Sequence, residues 1–216
     1  MTLLPWRVKN FVSEHAPLLY HFAANFGRTG NSGRHWDERL AATWDDRARH
    51  WPTKNELVAS ITRPSDILVD LGCGNGSILR YLKSRGYERL HGVEVSEYAI
   101  ERLRHEGIEM HRGKFPAIPL PDAAFDVAIA SQVLEHVIRR GRFATEIRRI
   151  LRPGGRALVF VPDDCLGPIS ESEHVAKYNA RSLRQFLERR FQVLRVVSMR
   201  DSHHEMPILF AEVQRD

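Results

Sequence analysis

Apolar and polar positions change period repeatedly along this chain, and each change marks an element. Residues 67–71, Ile-Leu-Val-Asp-Leu, form a short apolar run that reads as a buried strand. Glycine then recurs at every second position, Gly72, Gly74 and Gly76, before Ile78, Leu79 and Leu82 fall on one face of a helix expected over 77–85. The alternation continues with strand 89–95, helix 97–106, strand 108–111, a proline-rich loop 115–122 and strand 125–131. A helix over 142–151 is expected to stop at Pro153-Gly154-Gly155, with a fifth strand at 156–161. Strands separated by helices imply a parallel sheet covered on both faces. Beyond a helix at 180–189, the runs 191–199 and 207–213 have no helix between them and should pair antiparallel. The fold class is therefore α/β: a doubly wound, mostly parallel seven-stranded sheet ending in an antiparallel hairpin.

The N-terminal part patterns differently. Trp6, Phe11, Leu18, Leu19, Phe22 and Phe26 recur at loosely helical spacing, with Pro17 dividing two helices and a loop at 27–33. Packing of this amphipathic segment on the main domain is favoured over a lid, a dimer contact or a membrane-surface anchor, because only Arg7 and Lys9 give it a basic face. A helix over 36–50 carries Trp36, Leu40 and Trp44 on one stripe, which reads as core. Residues 57–62 lead through Pro64 into the first strand. The expected division is a helical lid or packing segment over 1–50 and a main domain over 51–216.

Composition narrows the picture little. Charged residues at 27% and hydrophobic residues at 43% are ordinary for a globular chain long enough to bury a full core. There is no eighteen-residue apolar run and no secretory leader pattern, so a cytoplasmic protein without a transmembrane segment is expected. Cys73 and Cys165 make neither a disulfide framework nor a zinc site. A net charge of +5 invites a nucleic-acid partner. Only five of the 32 basic residues are lysines, however, and the pairs Arg139-Arg140, Arg148-Arg149 and Arg189-Arg190 are scattered among acids, so a solvated arginine-biased surface is expected.

Chemistry concentrates at the carboxyl ends of the strands. Asp70 stands just before the glycines, where its carboxylate would repel a pyrophosphate but suit a ligand bearing an ammonium group. Glu94 ends the second strand, where an acid accepts hydrogen bonds from ribose hydroxyls in doubly wound sheets. The run Asp70-x-Gly72-x-Gly74-x-Gly76, with Glu94 after it, resembles motif I and the following acid of the class I S-adenosylmethionine (SAM) methyltransferases, and more narrowly a small type-11-like subfamily. Leu120-Pro121-Asp122-Ala123-Ala124-Phe125-Asp126 and Ser131-Gln132-Val133-Leu134-Glu135-His136-Val137 are similar to later motifs of that family, as is 174–183. The segment 35–44 is similar to one that helps close over SAM.

The resemblance implies a Rossmann-like methyltransferase fold and assigns the cofactor to Asp70, Gly72, Cys73, Gly74, Gly76, Glu94, Val95, Lys114, Phe115, Ser131 and Gln132. Lys114 stands where the family commonly has an aspartate that accepts from the adenine amino group, and a charged lysine accepts nothing. Adenine recognition is therefore expected to run through backbone groups and Phe115, with Lys114 turned to solvent. His136 and His174 are the candidate catalytic residues, with Glu173 and Tyr178 as further candidates to touch an acceptor; the alternative for Tyr178 is core packing, and Asn179 reads as a helix cap. His203, His204 and Glu205 are expected at the surface. Glu135, His136 and His174 are of the right type for a metal, but no close repeat with metal spacing is visible, so no metal is expected.

The implied reaction is methyl transfer to an O, N or C nucleophile of a small molecule by a monomer or homodimer, with nucleic acid not the expected partner. The alternatives are methylation of nucleic acid or protein, or a SAM-binding partner subunit without transfer activity. The absence of a [DNS]-P-P-[YFW] run after strand 4 and of a Pro-Cys pair weighs against base methylation.

Overall fold

The computed structural model describes residues 32–166 and 173–216, together with the single positions 12, 16 and 19. The readings of the apolar segment before residue 32 lie outside the described residues.

Ser32 opens the helix that follows it because its side chain accepts from the His35 N–H. That helix, α1 (Gly33–Thr43), starts earlier and ends sooner than the Trp36 periodicity suggests, and a 3₁₀ turn at Arg47–Arg49 completes the stretch. A second helix, α2 (Pro52–Ile61), occupies a stretch read from sequence only as a lead into the sheet; Pro52 at its first turn, a position where proline costs nothing, is its start signal. The elements that follow are β1 (Leu68–Leu71), α3 (Ser77–Ser84), β2 (Leu90–Glu94), α4 (Glu97–His105), β3 (Glu109–Arg112) and β4 (Phe125–Ser131). After a 3₁₀ turn at Leu134–His136 come α5 (Arg140–Ile150), β5 (Leu151–Pro162), α6 (Ala180–Leu187), β6 (Gln192–Met199) and β7 (Ile208–Gln214). Asn179 and Ser182 cap α6 reciprocally.

The sheet runs β3-β2-β1-β4-β5-β7-β6. Strands β1 to β5 are parallel, while β7 lies antiparallel between β5 and β6. This is the seven-stranded, mostly parallel sheet with a terminal antiparallel hairpin that the pattern predicts. One junction differs. Pro153-Gly154-Gly155 lies inside β5 and not before it, because the strand begins at Leu151 opposite Phe125 and resumes at Arg156 opposite Val127. The intervening residues bulge out of the ladder, and proline and glycine are suited to a bulge.

Alternate strand residues feed two cores. Val69, Leu71 and Ala128 face one layer with Phe143 and Ile147 of α5 and Leu183 of α6. Leu68, Val127 and Ile129 face the other with Leu79 of α3, Leu103 of α4 and Leu40 of α1. The chain leaves β1 toward β2 on one side and reaches β4 on the other, so a crevice opens at the carboxyl ends of β1 and β4, where open α/β sheets bind ligands. Among the described residues no helix is long and apolar enough to cross a membrane.

Candidate active site

The turn after β1 is shaped by positive φ. Gly72, Gly74 and Gly76 all have left-handed backbone, which L side chains adopt at a cost. Their surroundings separate them. A Cβ on Gly76 would lie 2.4 Å from Leu103 Cδ2, whereas one on Gly74 would meet only Leu40 Cδ2 at 3.9 Å. Gly76 thus lets the loop pack on α4, and Gly74 leaves open space above the turn.

That space is a cavity of about 680 Å³ lined by Asp70, Gly72, Cys73, Gly74, Glu94, Val95, Lys114, Phe115, Ser131, Gln132, His136 and His174. Every residue singled out for cofactor or catalysis meets there except Gly76, whose place is beneath the loop against Leu103. Lys114 is exposed yet contributes to the rim. Tyr178 does not reach the cavity. Its ring is buried and its hydroxyl accepts from Arg140 at 3.2 Å, so core packing is its role. His203 and Glu205 are exposed as expected, but His204 stacks on Trp51 at 3.6 Å and its Nε2 lies 2.9 Å from the His50 carbonyl.

The charged groups at the base of the cavity are buried and coupled. Asp70 is 2% exposed, and its Oδ1 is a buried oxygen without a hydrogen-bond partner. Burial pushes its carboxyl up to about 7, while Lys54 pulls the other way. Lys54 of α2 reaches the same floor, where its Nζ donates to Ser131 Oγ at 2.7 Å and sits 4.5 Å from the Trp51 ring centroid. Burial brings that ammonium down to about 8, opposed by Asp70, Asp201 and Glu135. Sequence reasoning missed Lys54 because it missed α2. Asp201, from the hairpin loop, fixes the helix start by accepting from the Lys54 N–H.

Glu94 is held by three backbone donors: Val95 and Ser96 N–H to Oε1 at 2.7 and 3.1 Å, and Gly74 N–H to Oε2 at 2.9 Å. Burial raises its pKa, and these donors pull it back toward the charged form. A carboxylate has about four acceptor sites, so with three taken about one remains for a hydroxyl donor. Gln132 stands at positive φ, a conformation uncommon outside glycine, and its Nε2 is buried without a partner.

Two elements form the cavity's outer wall. Helix α1 contributes Trp36, Arg39 and Leu40, and the stretch at 173–174 contributes Glu173 and His174. Glu173 joins them by pairing with Arg39 and with His35 Nε2, the latter at 2.5 Å. Asp37 anchors the helix to the start of α4, accepting from Ser96 Oγ at 2.6 Å and the Tyr98 N–H at 3.1 Å. The Trp36-Leu40-Trp44 stripe therefore divides: Leu40 and Trp44 are core, and Trp36 lines the cavity with its edge to His136. Arg49 lines the cavity too, its pKa lowered by burial and by Arg39.

Beside this wall, His136 and His174 meet edge to face at 4.6 Å between ring centroids. Burial pushes His174 down to about 4, so its imidazole is neutral at pH 7, and its Nδ1 is a buried atom without a partner. Glu135 is 1% exposed with neither carboxylate oxygen hydrogen-bonded, and burial pushes it up to about 8.

The family model described as "Methyltransferase domain" matches residues 69–159, a span that holds both Asp70 and Glu94. A Mycolicibacterium smegmatis protein named "Probable S-adenosylmethionine-dependent methyltransferase" is 30% identical over 190 residues, covering 77% of this chain and 72% of that protein. The chain belongs to the SAM-dependent methyltransferases. SAM is accordingly its cofactor, and the cavity suits it: a buried carboxylate with an unpartnered oxygen for an ammonium, an acid at the end of β2, and open space over Gly74.

Other relatives differ in what their names say they methylate. The 27-O-demethylrifamycin SV methyltransferase of Amycolatopsis mediterranei is 30% identical, over 56% of this chain and 50% of its own. A mouse protein named "Probable tRNA methyltransferase 9B" is 28% identical, over 54% of this chain and 26% of its own. The chain thus spans half or less of these two relatives. A SAM-dependent methyltransferase structure from Aquifex aeolicus shares the fold, with a TM-score of 0.67 at 20% identity over 83% of this chain and 98% of that one.

Proposed function

We propose that this methyltransferase moves the methyl group of SAM to a nucleophile on a small molecule held between α1 and the wall formed by Glu173 and His174. The observation that carries this reading is the bridge from Arg39 and His35 to Glu173, which joins the two outer walls beside a cavity of small-ligand size. The arginines also favour it. Arg149 is engaged by Asp122, Glu146 and the carbonyls of Ile118 and Leu120, Arg215 by three backbone carbonyls, and Arg156 by Glu212 and the Ile61 carbonyl. Guanidinium groups tied to the chain's own carbonyls are not arrayed for phosphates.

SAM supplies an electrophilic methyl group when bound. Asp70 would take its α-ammonium, Glu94 a ribose hydroxyl, and Phe115 would pack on the adenine, with Lys114 at the rim. Gln132 Nε2 is a donor for the cofactor's carboxylate. Ser131, fixed by Lys54, would border the methionine portion. His136 and His174 would face the acceptor's nucleophile, where a neutral imidazole can take a proton. Positioning supplies much of the rate, because an in-line displacement needs nucleophile, methyl and sulfur aligned.

Methyl-labelled SAM incubated with the protein and separately fractionated small molecules, RNA and protein tests this. Label in the small-molecule fraction is expected. Label in RNA or protein alone would contradict the acceptor class, and none in any fraction would favour a partner subunit.

A further inference from the structure

His91, Glu109 and His111 each offer a metal-ligand atom at the β3 edge of the sheet, and none of the three lines the cavity. The ladder brings them together. Strands β2 and β3 run parallel, with His91 opposite Glu109 and Val93 opposite His111. Side chains two apart along a strand share a face, so Glu109 and His111 stand on the same side as His91. Both rings are seated by packing. His91 lies perpendicular to Phe125 with centroids 5.1 Å apart, and the His111 ring stacks on His91 at 5.6 Å.

Three distances point to a cation. His91 Nδ1 and His111 Nε2 are 3.3 Å apart, and Glu109 Oε1 lies 3.4 Å from each. All three are longer than an ordinary N–H···O hydrogen bond of about 2.7–3.2 Å. In a tetrahedral zinc site with bonds of ~2.1 Å, ligand atoms are about 3.4 Å apart. The triangle therefore already has the dimensions of one face of such a site. Hydrogen bonding serves it poorly. Both nitrogens would need protons to serve the carboxylate oxygen, which only accepts, and two N–H groups 3.3 Å apart would oppose each other. A lone pair on each nitrogen suits a cation instead, with each ring's proton on its other nitrogen.

We infer that His91, Glu109 and His111 form a divalent transition-metal site that clasps strand β3 to β2. Two imidazoles and one carboxylate suit zinc or a similar borderline ion. Glu109 is exposed, so water can complete the coordination. Strand β3 is short and stands at the end of the sheet, hydrogen-bonded to β2. It leads directly into Gly113, Lys114 and Phe115 of the cavity wall. A bound ion would act by steadying this edge, and neither the ion nor its ligands takes part in the proposed methyl transfer.

The untagged full-length chain, stripped with a chelator, is titrated with Zn²⁺ by calorimetry and with Co²⁺ by visible absorption, both without SAM. One equivalent should bind, with Co²⁺ bands of four- or five-coordination, and Zn²⁺ should raise Tm and slow hydrogen exchange across 109–112. Glu109→Gln, which keeps the size and loses the charge, and His111→Ala should each weaken that equivalent more than tenfold. His105→Ala, at an exposed histidine ending α4, should leave it unchanged. Far-UV circular dichroism checks that each variant is folded. No bound ion in the wild-type chain would overturn the inference. So would an ion that His111→Ala retains at full strength.

Discussion

A methyl group added at Gly76 would press on Leu103 at 2.4 Å, while one added at Gly74 would enter nearly open space. Both glycines have positive φ, so the two substitutions share a backbone cost of about 1–2 kcal/mol and differ in everything else. Gly76→Ala should destabilise the chain by about 2–4 kcal/mol in urea titration, because overpacking adds to that cost. Gly74→Ala should cost about 1–2 kcal/mol and weaken S-adenosylhomocysteine binding more than tenfold in calorimetry. Equal effects on stability would refute the division of labour. Asp70 makes a prediction about pH. Burial holds its carboxyl at about 7 when folded, above the ordinary range, so between about pH 4 and 7 the folded chain binds the extra proton. Its contribution to stability therefore falls as pH rises through that window. Without cofactor, Asp70→Asn should be stabler than the wild type at pH 8, with the difference shrinking toward pH 5; a difference independent of pH would contradict the assignment. Asp70 and Glu94 are legible in the sequence because an acid at a strand end beside glycines has few other uses. Lys54 is not, because its neighbours Ser131 and Asp70 come from separate strands that only the fold brings to α2.

Helix α1 is tied to the rest of the chain by polar side chains as well as by its buried Leu40. Asp37 ties it to α4, and Glu173 ties it to the chain beside His174. Arg39→Ala together with His35→Ala should leave β1 and β2 protected in hydrogen exchange and speed exchange across 33–43, with faster release of S-adenosylhomocysteine. Unchanged exchange in α1 would show that Leu40 and Trp44 suffice to seat it; both are buried, and Arg80 and Arg102 each stand 5.0 Å from the Trp44 ring. At this scale the sheet and its helices are readable from periodicity, since β4 is found where its apolar run lies and every other strand except β5 differs by a residue or so at each end. Two elements escape that reading for physical reasons. Helix α2 buries Lys54 and Asn55 alongside Val58, so its buried face is not an apolar stripe. Strand β5 continues through Pro153-Gly154-Gly155 because the bulge rejoins the ladder at Arg156, which a local stop signal cannot reveal.

Across the whole molecule, a net charge of +5 suggests a polyanion as partner until the arginines are followed to their contacts. Many end on carbonyls at element ends or on acids such as Glu212, which pairs with both Arg156 and Arg195. In the proposed reading the cavity over Gly74 is a SAM site shared with a small acceptor, with Glu94 as its ribose anchor. Ligand that binds only the folded chain raises stability by about 2.7 kcal/mol at a hundred times its Kd. For a chain of this length that corresponds to a rise in Tm of about 5–10 °C. The most direct measurement is titration of wild type and Glu94→Ala with S-adenosylhomocysteine, by calorimetry and by thermal melting. One site with that rise in Tm is expected in the wild type, and a loss of affinity of at least tenfold in the variant. Equal affinity in the two, or no binding to the wild type, would contradict that reading.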